Sequence, residues 1–573
     1  MRYLRLIAAV FALPLAGCGN GSTPPPPPPA VTVSISPGAM TLAPETMVQL
    51  SATVTGSFNK SVTWQVNGLT GGNGTVGTVS SSGLYTAPKA VPNPKTVKVA
   101  AVSQVNSSSS ASAPVAIGTI TEGLQSAPIK LGTSGGNSLD LTKSGNTITC
   151  CSGTLGSLVE RAGTFYALSN NHVLARSNQA KPGEPIAQPG LVDTNCTAGT
   201  PVANLSDFVK LPQTGTSTKP AAGTVDAAIA QVITGAVDTS GSILELGTAS
   251  STPNVPNSAP PASTIAAATL GMSVAKAGRS TGLTCSTVGS IKTTVDIDYS
   301  TTCGSGGTTF TVEYASQIVI NDGSFSAAGD SGSLVVKAGT AEPIGLLYGG
   351  DSTSTVAHPI GDVLTAFSGG ALTIVGGTTH AVVCPPATAS SSAASATVPA
   401  SEIAHATETA SRYATHLMAN IQVNGVAVGG SQDEPGRAAV VIYVKSLPNP
   451  ATFPAQLDGV RTRIMPISAS GSASALPAVA VSDAEVARVA AIKQQHAEQL
   501  LRENPAIFGV GVGASEDSPG EAAVVLFVDK DMSYTPPTVL DGARIKVRRS
   551  DRFRAWGWNE RQQPRACSLS KRR

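Results

Sequence analysis

A glycine-flanked serine carries the strongest chemical signal in this sequence. Ser331 lies in the run Ala328–Ser333 (AGDSGS), directly before the apolar run Leu334–Val336. Glycines permit a tight turn in which backbone N–H groups can face a developing negative charge, so the N–H groups of Gly329 and Ser331 are candidates for an oxyanion hole. A serine hydroxyl is a weak nucleophile unless a base lies beside it. The motif therefore predicts nucleophilic chemistry if a base is near, and an ordinary turn is the alternative.

Histidine is the usual base for such a serine, and the chain has six histidines. His172 follows the apolar run Phe165–Leu168 and a polar turn, a context that places an imidazole at the edge of a core. His358 follows the serine and is expected to begin a helix. We therefore take His172 as the candidate base, with a satisfied structural histidine as the alternative. The other four lie in charged helical stretches or beside a linker: His380, His405, His416 and His496.

A buried carboxylate should hold the imidazole in the correct tautomer and stabilise its protonated form. Asp226, in the run Gly223–Ala230, has apolar neighbours on both sides and lies between the histidine and the serine. An ionised carboxylate in such a strand costs several kcal/mol unless it is paired, so a partner is expected. An aspartate at the polar end of a strand is the alternative.

The chain order His172, Asp226, Ser331 is that of the chymotrypsin-type triad. Residues 119–380 resemble the trypsin-like serine proteases, most closely a bacterial subgroup related to the plant narrow-leaf proteases. The resemblance implies a protease domain of two orthogonal six-stranded β-barrels, with peptide hydrolysis through an acyl-enzyme in the cleft between them. Five runs carry it: Leu168–Leu174, Val225–Ala230, Lys276–Gly282, Gly329–Val335 and Gly345–Gly350.

The same resemblance indicates a substrate pocket. Phe325 stands where a trypsin carries Asp, so a preference for Lys or Arg substrates is not expected. Tyr348, Gly349 and Gly350 would line the pocket and present backbone to an extended peptide. Asp330 is expected to find an internal partner, because no activation site that would create a new N-terminus is evident.

The first residues indicate export. Two arginines precede the apolar run Leu6–Ala16, which is too short to span a bilayer. The four residues that end at Cys18 (LAGC) resemble the lipobox of bacterial lipoproteins, in which Cys18 would be acylated. We therefore predict a lipoprotein signal peptide (residues 1–18), a proline-rich spacer (19–30) and a lipid anchor in the bacterial cell envelope. An ordinary signal with an incidental cysteine is the alternative.

Export implies an oxidising compartment, in which the remaining seven of the 8 cysteines can pair. The best candidate bridge joins Cys285 and Cys303 across a hairpin-sized loop. A second bridge would join Cys150 or Cys151 to Cys196. The chain has no paired Cys-x-x-Cys spacing, so no metal site is expected.

Outside the protease-like region, two further kinds of domain are predicted. Residues 31–118 alternate apolar and polar positions in short runs and resemble bacterial immunoglobulin-like β-sandwiches, with Trp64 in the core. An Ala/Ser linker follows the protease-like region at 381–400. The C-terminal segment repeats itself at an offset of 84 residues, in two pairs of matching runs: Asn424–Gly429 with Phe508–Gly513, and Pro435–Val444 with Pro519–Val528.

Each copy of this repeat begins with a helical stretch and continues in strands, which predicts two small α+β units. They span 401–467 and 482–558, and a basic tail follows at 559–573. The whole chain is therefore predicted to be multidomain and mainly β. A charged fraction of 13% with 59 Gly and 40 Pro excludes a coiled coil or a long helical array.

The composition gives no sign of nucleic-acid binding, since the formal net charge is only +2. We expect a peptide or protein substrate, membrane attachment through Cys18, and no cofactor or nucleic-acid partner. The oligomeric state is left open. The alternative function is that of a protease-like surface adhesion or scaffold protein without catalysis.

Overall fold

The fold is described from a computed structural model of the 573-residue chain. Contacts divide the chain into two compact units, Met1–Met40 with Pro44–Ile117, and Thr41–Ala43 with Gly118–Arg573. The predicted signal peptide, Cys18 and most of the linkers and basic tail lie outside the described residues. The structure describes residues 30–36, 38, 40–42, 47–88, 92, 94–118, 120–145, 147–194, 196–248, 258–303, 307–384, 398–447, 452–466, 479–555 and 567–568.

The N-terminal part of the chain is built from short antiparallel strands. Side chains alternate between buried and more exposed along β10, as expected of a strand with one face on a core. Trp64 on β5 is 5% exposed, which confirms its predicted place in the core. The strands are β1 (Thr32–Ser36), β2 (Met40–Leu42), β3 (Met47–Gln49), β4 (Ser51–Thr55), β5 (Val62–Val66), β6 (Leu69–Thr70), β7 (Gly72–Asn73), β8 (Gly77–Val79), β9 (Leu84–Thr86), β10 (Thr96–Ser103) and β11 (Ser110–Ile117).

The next strands close into a ring. β12 pairs with β15 and β18, and the pairing continues through β19, β21 and β17 to β16, which directly follows β15 in the chain. The elements are β12 (Thr133–Asn137), β13 (Leu141–Ser144), β14 (Thr147–Cys150), β15 (Gly153–Leu155), β16 (Ser157–Arg161), β17 (Thr164–Ser169), α1 (Asn171–Leu174), β18 (Pro185–Gln188), β19 (Thr200–Phe208), β20 (Ala221–Ala222) and β21 (Ala228–Val232).

A second ring follows, in the order β22, β23, β24, β27, β26, β25 and back to β22, all antiparallel. Closure removes the exposed edges that an open sheet would leave. The elements are β22 (Ser273–Gly278), β23 (Gly282–Ser300), β24 (Thr309–Asn321), β25 (Leu334–Lys337), β26 (Pro343–Gly350), β27 (Ser354–Pro359), α2 (Ile360–Thr365) and β28 (Thr373–Ile374). The prediction of a mainly β chain is confirmed.

The C-terminal repeats share one order of elements, a helix followed by four strands. Ser482 caps the helix of the second copy by accepting a hydrogen bond from the Glu485 N–H. The first copy holds α3 (Ala400–Met418), β29 (Val423–Gly430), β30 (Ala438–Val444), β31 (Gln456–Leu457) and β32 (Val460–Pro466). The second holds α4 (Asp483–Glu503), β33 (Ile507–Ala514), β34 (Ala522–Asp529), β35 (Val539–Leu540) and β36 (Ala543–Ser550), followed by β37 (Arg554–Ala555) and β38 (Cys567–Ser568).

The second repeat is joined to the second ring, because β33 pairs antiparallel with β23. The two repeats also bind each other reciprocally. Ser431 donates to the Asp517 carboxylate at 2.5 Å, and Ser515 donates to the Asp433 carboxylate at 2.6 Å. Two buried arginines each donate to a carbonyl of the other copy: Arg461 to Ile545 and Arg544 to Thr462.

The disulfides differ from the predicted pairing. Cys285 bonds to Cys384, not to Cys303, because the 19-residue strand β23 carries the chain away between the two predicted partners. Cys303 bonds instead to Cys151. Of the two alternatives for Cys196, the structure has Cys150.

Cys150 and Cys151 thus bond to different partners, as successive side chains at the end of a strand point to opposite sides. Among the described residues, no helix is long and apolar enough to cross a membrane.

Candidate active site

His172 lies in a short helix directly after a barrel strand. Strand β17 ends at Ser169, and α1 begins at Asn171, so the imidazole emerges at the rim of the first ring. The Asn170 side chain donates to the Asp226 carbonyl oxygen at 2.7 Å and ties the start of this turn to the segment before β21. The polar turn seen in the sequence therefore fixes the histidine relative to the aspartate.

Asp226 is fully buried and binds His172 through both carboxylate oxygens. Its Oδ2 lies 2.5 Å from His172 Nδ1, and its Oδ1 accepts from the His172 backbone N–H at 3.2 Å. Tyr299 donates its hydroxyl to Oδ2 at 3.0 Å. Burial alone would raise the pKa of Asp226, but the electrostatic interaction with His172 and the two hydrogen bonds with that residue outweigh it and hold the pKa below its usual 3.8. The predicted pairing of Asp226 with a partner is observed.

This pairing fixes the tautomer of His172. A carboxylate only accepts hydrogen bonds, so Nδ1 carries the proton and Nε2 presents its lone pair. Nε2 is buried and has no hydrogen-bond partner within the described part of the chain. The ring is therefore arranged as a proton acceptor at Nε2.

His358 supports the aspartate from behind. It lies on β27, two residues before α2, and so does not begin the helix as the sequence suggested. Its Nε2 accepts from the Asp226 backbone N–H at 2.8 Å, and its ring stacks on Tyr348 with centroids 3.8 Å apart. Burial is the largest cause that lowers the pKa of His358 to about 3, so the ring is neutral.

Ser331 lies on the turn before β25 and is 0% exposed. Its Oγ donates to the Tyr348 carbonyl at 3.3 Å, and the structure gives it no hydrogen bond to His172. The Ser331 carbonyl accepts from the Thr154 N–H at 2.8 Å, and Ser169, three residues before His172, donates to the Thr154 carbonyl at 2.7 Å. The turn is therefore held against the strands that carry the histidine, with the hydroxyl turned toward Tyr348.

Hydrogen bonds from other segments hold the turn that would form the predicted oxyanion hole. Gly329 adopts a φ of +98°, which disfavours other residues. Thr154 donates its hydroxyl to the Gly329 carbonyl at 2.9 Å, and Ser280 donates to the Ala328 carbonyl at 2.5 Å. The N–H groups of Gly329 and Ser331 donate to no acceptor among the described residues. Both are thus available to an anionic oxygen.

Asp330 has the internal partners that the sequence required. Its carboxylate accepts from the Ser280 N–H at 2.8 Å, the Ala327 N–H at 2.9 Å and the Thr281 hydroxyl at 2.7 Å. The fully buried Lys276 ammonium lies 3.6 Å away. Burial lowers the pKa of Lys276 despite the neighbouring carboxylate. This cluster fixes the turn that precedes Ser331.

The predicted pocket residues fall into two groups. Tyr348, Gly349 and Gly350 end β26 next to the serine. Phe325 is 1% exposed, belongs to the apolar core inside the second ring, and lies under the Lys276 ammonium at 5.7 Å.

A cavity of about 600 Å³ opens beside His172. Its wall includes the Cys151–Cys303 disulfide and residues of the hairpin between β23 and β24. Asp298, Tyr299 and Arg554 also line it. Side chains of an extended ligand beside the imidazole could occupy this space.

Several residues of the site were not foreseen: Thr154, Ser280, Lys276, Tyr299 and His358. Their side chains join segments far apart in the chain through hydrogen bonds or, for Lys276, an ion pair, and no local pattern identifies such contacts. One signal was available, since a fully apolar strand rarely holds a lysine unless it is paired, and Lys276 interrupts the run Val274–Ala277.

No family model matches the chain, and no curated protein matches it. Solved structures do match. One is a serine protease specific for glutamic acid, described as using a histidine triad in substrate binding; it is 18% identical, with a TM-score of 0.27 over 43% of this chain and 100% of that chain. Another is a chymotrypsin from Cellulomonas bogoriensis, 15% identical, with a TM-score of 0.26 over 43% of this chain and 97% of that chain. Both TM-scores lie below 0.5.

Proposed function

We propose that this chain is a serine endopeptidase that hydrolyses peptide bonds through an acyl-enzyme on Ser331. One observation carries the proposal: the buried Asp226 carboxylate holds His172 Nδ1 at 2.5 Å, which leaves Nε2 as an unpaired, buried acceptor. An unpaired buried acceptor costs folding free energy, and this cost is tolerated where the atom has a functional role. The environment of His172 Nε2 suits it to accept a proton from a serine hydroxyl.

The chemistry follows from these positions. The Ser331 hydroxyl must first leave the Tyr348 carbonyl by rotation about its χ1 bond and meet His172 Nε2. As its oxygen bonds to the peptide carbonyl carbon, its proton passes to Nε2, and Asp226 stabilises the imidazolium. The Gly329 and Ser331 N–H groups bind the anionic oxygen of the tetrahedral intermediate.

Collapse of this intermediate breaks the C–N bond, and the imidazolium returns its proton to the leaving amine. Water then attacks the acyl-enzyme by the same route and frees the carboxylic acid product and the serine. No cofactor is needed at any step of this sequence.

A fluorophosphonate probe tests the proposal, because it reacts with serine nucleophiles activated by a base. We expect the full chain to be labelled and the Ser331→Ala variant to remain unlabelled. The variant Ser333→Ala is the matched control, since this hydroxyl lies on the same turn but donates to the Asp330 carbonyl. Equal labelling of the full chain and Ser331→Ala would reject the assignment and leave the non-catalytic scaffold as the better account.

Export and lipid attachment at Cys18 are part of the proposal and rest on the N-terminal sequence alone. In a bacterial host, the full chain should incorporate radiolabelled palmitate and fractionate with membranes. The Cys18→Ser variant should lose the label. Incorporation that persists in this variant would remove the anchor from the proposal without touching the chemistry.

A further inference from the structure

The end of β26, where an extended peptide would pair with the proposed peptidase, is already paired with another strand of the same chain. Strand β37 lies antiparallel to the end of β26, with Gly349 opposite Ala555 and Gly350 opposite Arg554. The Phe553 carbonyl accepts from the Asp298 N–H of β23 on the other side of the strand. Because successive residues of a strand direct their backbone groups to opposite sides, Arg554 then faces its N–H and C=O toward β26.

This pairing lies next to the nucleophile. Ser331 Oγ donates to the carbonyl of Tyr348, and Tyr348 directly precedes Gly349. Arg554 and Ala555 also line the cavity that His172 borders. Ser331 itself is 0% exposed. The strand therefore occupies the approach to the serine along β26.

The contact is close enough to require glycine on the partner strand. A Cβ built on Gly349 would lie 2.6 Å from the Arg554 carbonyl oxygen, which no side chain could accept without movement of the backbone. A residue with any side chain here would exclude β37, and would equally exclude another strand that approached at the same distance. The surface is thus shaped for a peptide backbone.

The second repeat delivers this strand. Phe553, the residue before β37, is 0% exposed and packs with its ring centroid 5.1 Å from Phe508 and 5.3 Å from Phe527. These two partners lie on β33 and β34 of the repeat. Phe553 anchors β37 at one position, so the strand loses little further conformational entropy when it pairs with β26.

We infer that Arg554–Ala555 is an intramolecular ligand of the Gly349–Gly350 edge, held there by the second repeat, and that it blocks the peptide-binding edge of the proposed peptidase. The inference rests on the proposed function, since it assigns the cleft of that same peptidase. A peptide substrate must displace β37 before it can pair with β26. The repeat then sets how readily the site admits substrate.

Two variants at one position test the inference in the full chain. Arg554→Pro removes the N–H that faces β26, while Arg554→Ala keeps the backbone donor and removes the side chain. We expect Ser331 to be labelled by a fluorophosphonate at least about tenfold faster in Arg554→Pro than in Arg554→Ala, because both variants lose the side chain and only the proline loses the backbone donor. A chain that ends at Phe553 should behave like Arg554→Pro.

The outcomes separate the two proposals. Equal labelling rates in Arg554→Pro and Arg554→Ala, with labelling still abolished by Ser331→Ala, would overturn the internal ligand and leave the peptidase in place. If no variant is labelled at Ser331, the proposed function fails, and backbone hydrogen exchange decides the inference by itself. Protection of Pro343–Gly350 should then be kept in Arg554→Ala and reduced in Arg554→Pro; protection that is the same in both would overturn it.

Discussion

Ser280 donates its hydroxyl to the Ala328 carbonyl at 2.5 Å and accepts from the Arg279 guanidinium at 2.9 Å. The Ala328 carbonyl and the Gly329 N–H belong to one planar peptide unit and point in opposite directions. The hydrogen bond from Ser280 therefore orients the Gly329 N–H away from Ser280. Ser280 is a positioning residue for the proposed oxyanion hole.

Replacing Ser280 by alanine should lower kcat by about tenfold and leave KM nearly unchanged, because the oxyanion forms only in the transition state. Steady-state kinetics on a peptide substrate measures both constants. Ser280→Thr keeps the hydroxyl and is the matched control, which should retain most of the activity. A loss that appears only in KM, or an equal loss in both variants, would contradict this role.

Lys276 should be needed for the stability of the nucleophile turn. Lys276→Met leaves the Asp330 carboxylate buried without its cation, and breaking such a pair costs about 3–5 kcal/mol of unfolding free energy. Urea unfolding measures the loss. The double variant Lys276→Met with Asp330→Asn removes both charges and should recover part of it. If the single variant is as stable as the unchanged chain, the pair does not hold the turn.

His358 should make the protein less stable in acid. Its pKa in the folded chain is about 3, with burial as the largest cause, against 6.5 in an unfolded chain. Below about pH 6.5 the unfolded chain binds a proton that the folded chain does not, so unfolding free energy falls by about 1.4 kcal/mol per pH unit as the pH drops toward 3.

The His358→Gln variant keeps an acceptor for the Asp226 N–H and removes the titration. Urea unfolding of both proteins between about pH 6 and pH 4 should show a slope for the unchanged chain that is steeper by about 1.4 kcal/mol per pH unit. Parallel slopes would mean that His358 is not held neutral by its surroundings. Other carboxyl groups titrate in both proteins, so the difference reports on this ring.

The sequence predicted the residue types of the site better than its supporting contacts. His172 could be found because it follows an apolar run and a polar turn, and Asp226 because it has apolar neighbours on both sides. The structure joins the two side chains. The hydroxyl of Ser331 was expected to face His172, and it donates to Tyr348 instead. Which acceptor a serine hydroxyl uses depends on a side-chain rotation that no sequence pattern specifies.

The disulfide error has a different cause. Cys285 and Cys303 are close in sequence, and proximity favoured a hairpin between them. Strand β23 runs without a turn from Gly282 to Ser300, so Cys285 lies near its start and Cys303 lies just beyond its end. Strand length is set by pairing with β22, β24 and β33, which are tertiary contacts that local alternation does not reveal.

The repeat was visible in the sequence, and its attachment was not. Matching runs at an offset of 84 residues identified two copies. Nothing in either copy indicates that β33 of the second would extend the sheet of β23, or that Arg554 would reach Gly350. An edge strand can pair with any complementary edge, so its partner follows from the assembled fold.

The rate at which a fluorophosphonate modifies Asp226→Asn tests the central account most directly. Asparagine keeps the shape of the side chain but would hold His172 in the wrong tautomer, so we predict modification of Ser331 about 10⁴-fold slower than in the unchanged chain. Tandem mass spectrometry of the adduct should place it on Ser331 alone. A comparable rate in Asp226→Asn, or an adduct on another residue, would contradict the account that Asp226 and His172 activate this serine.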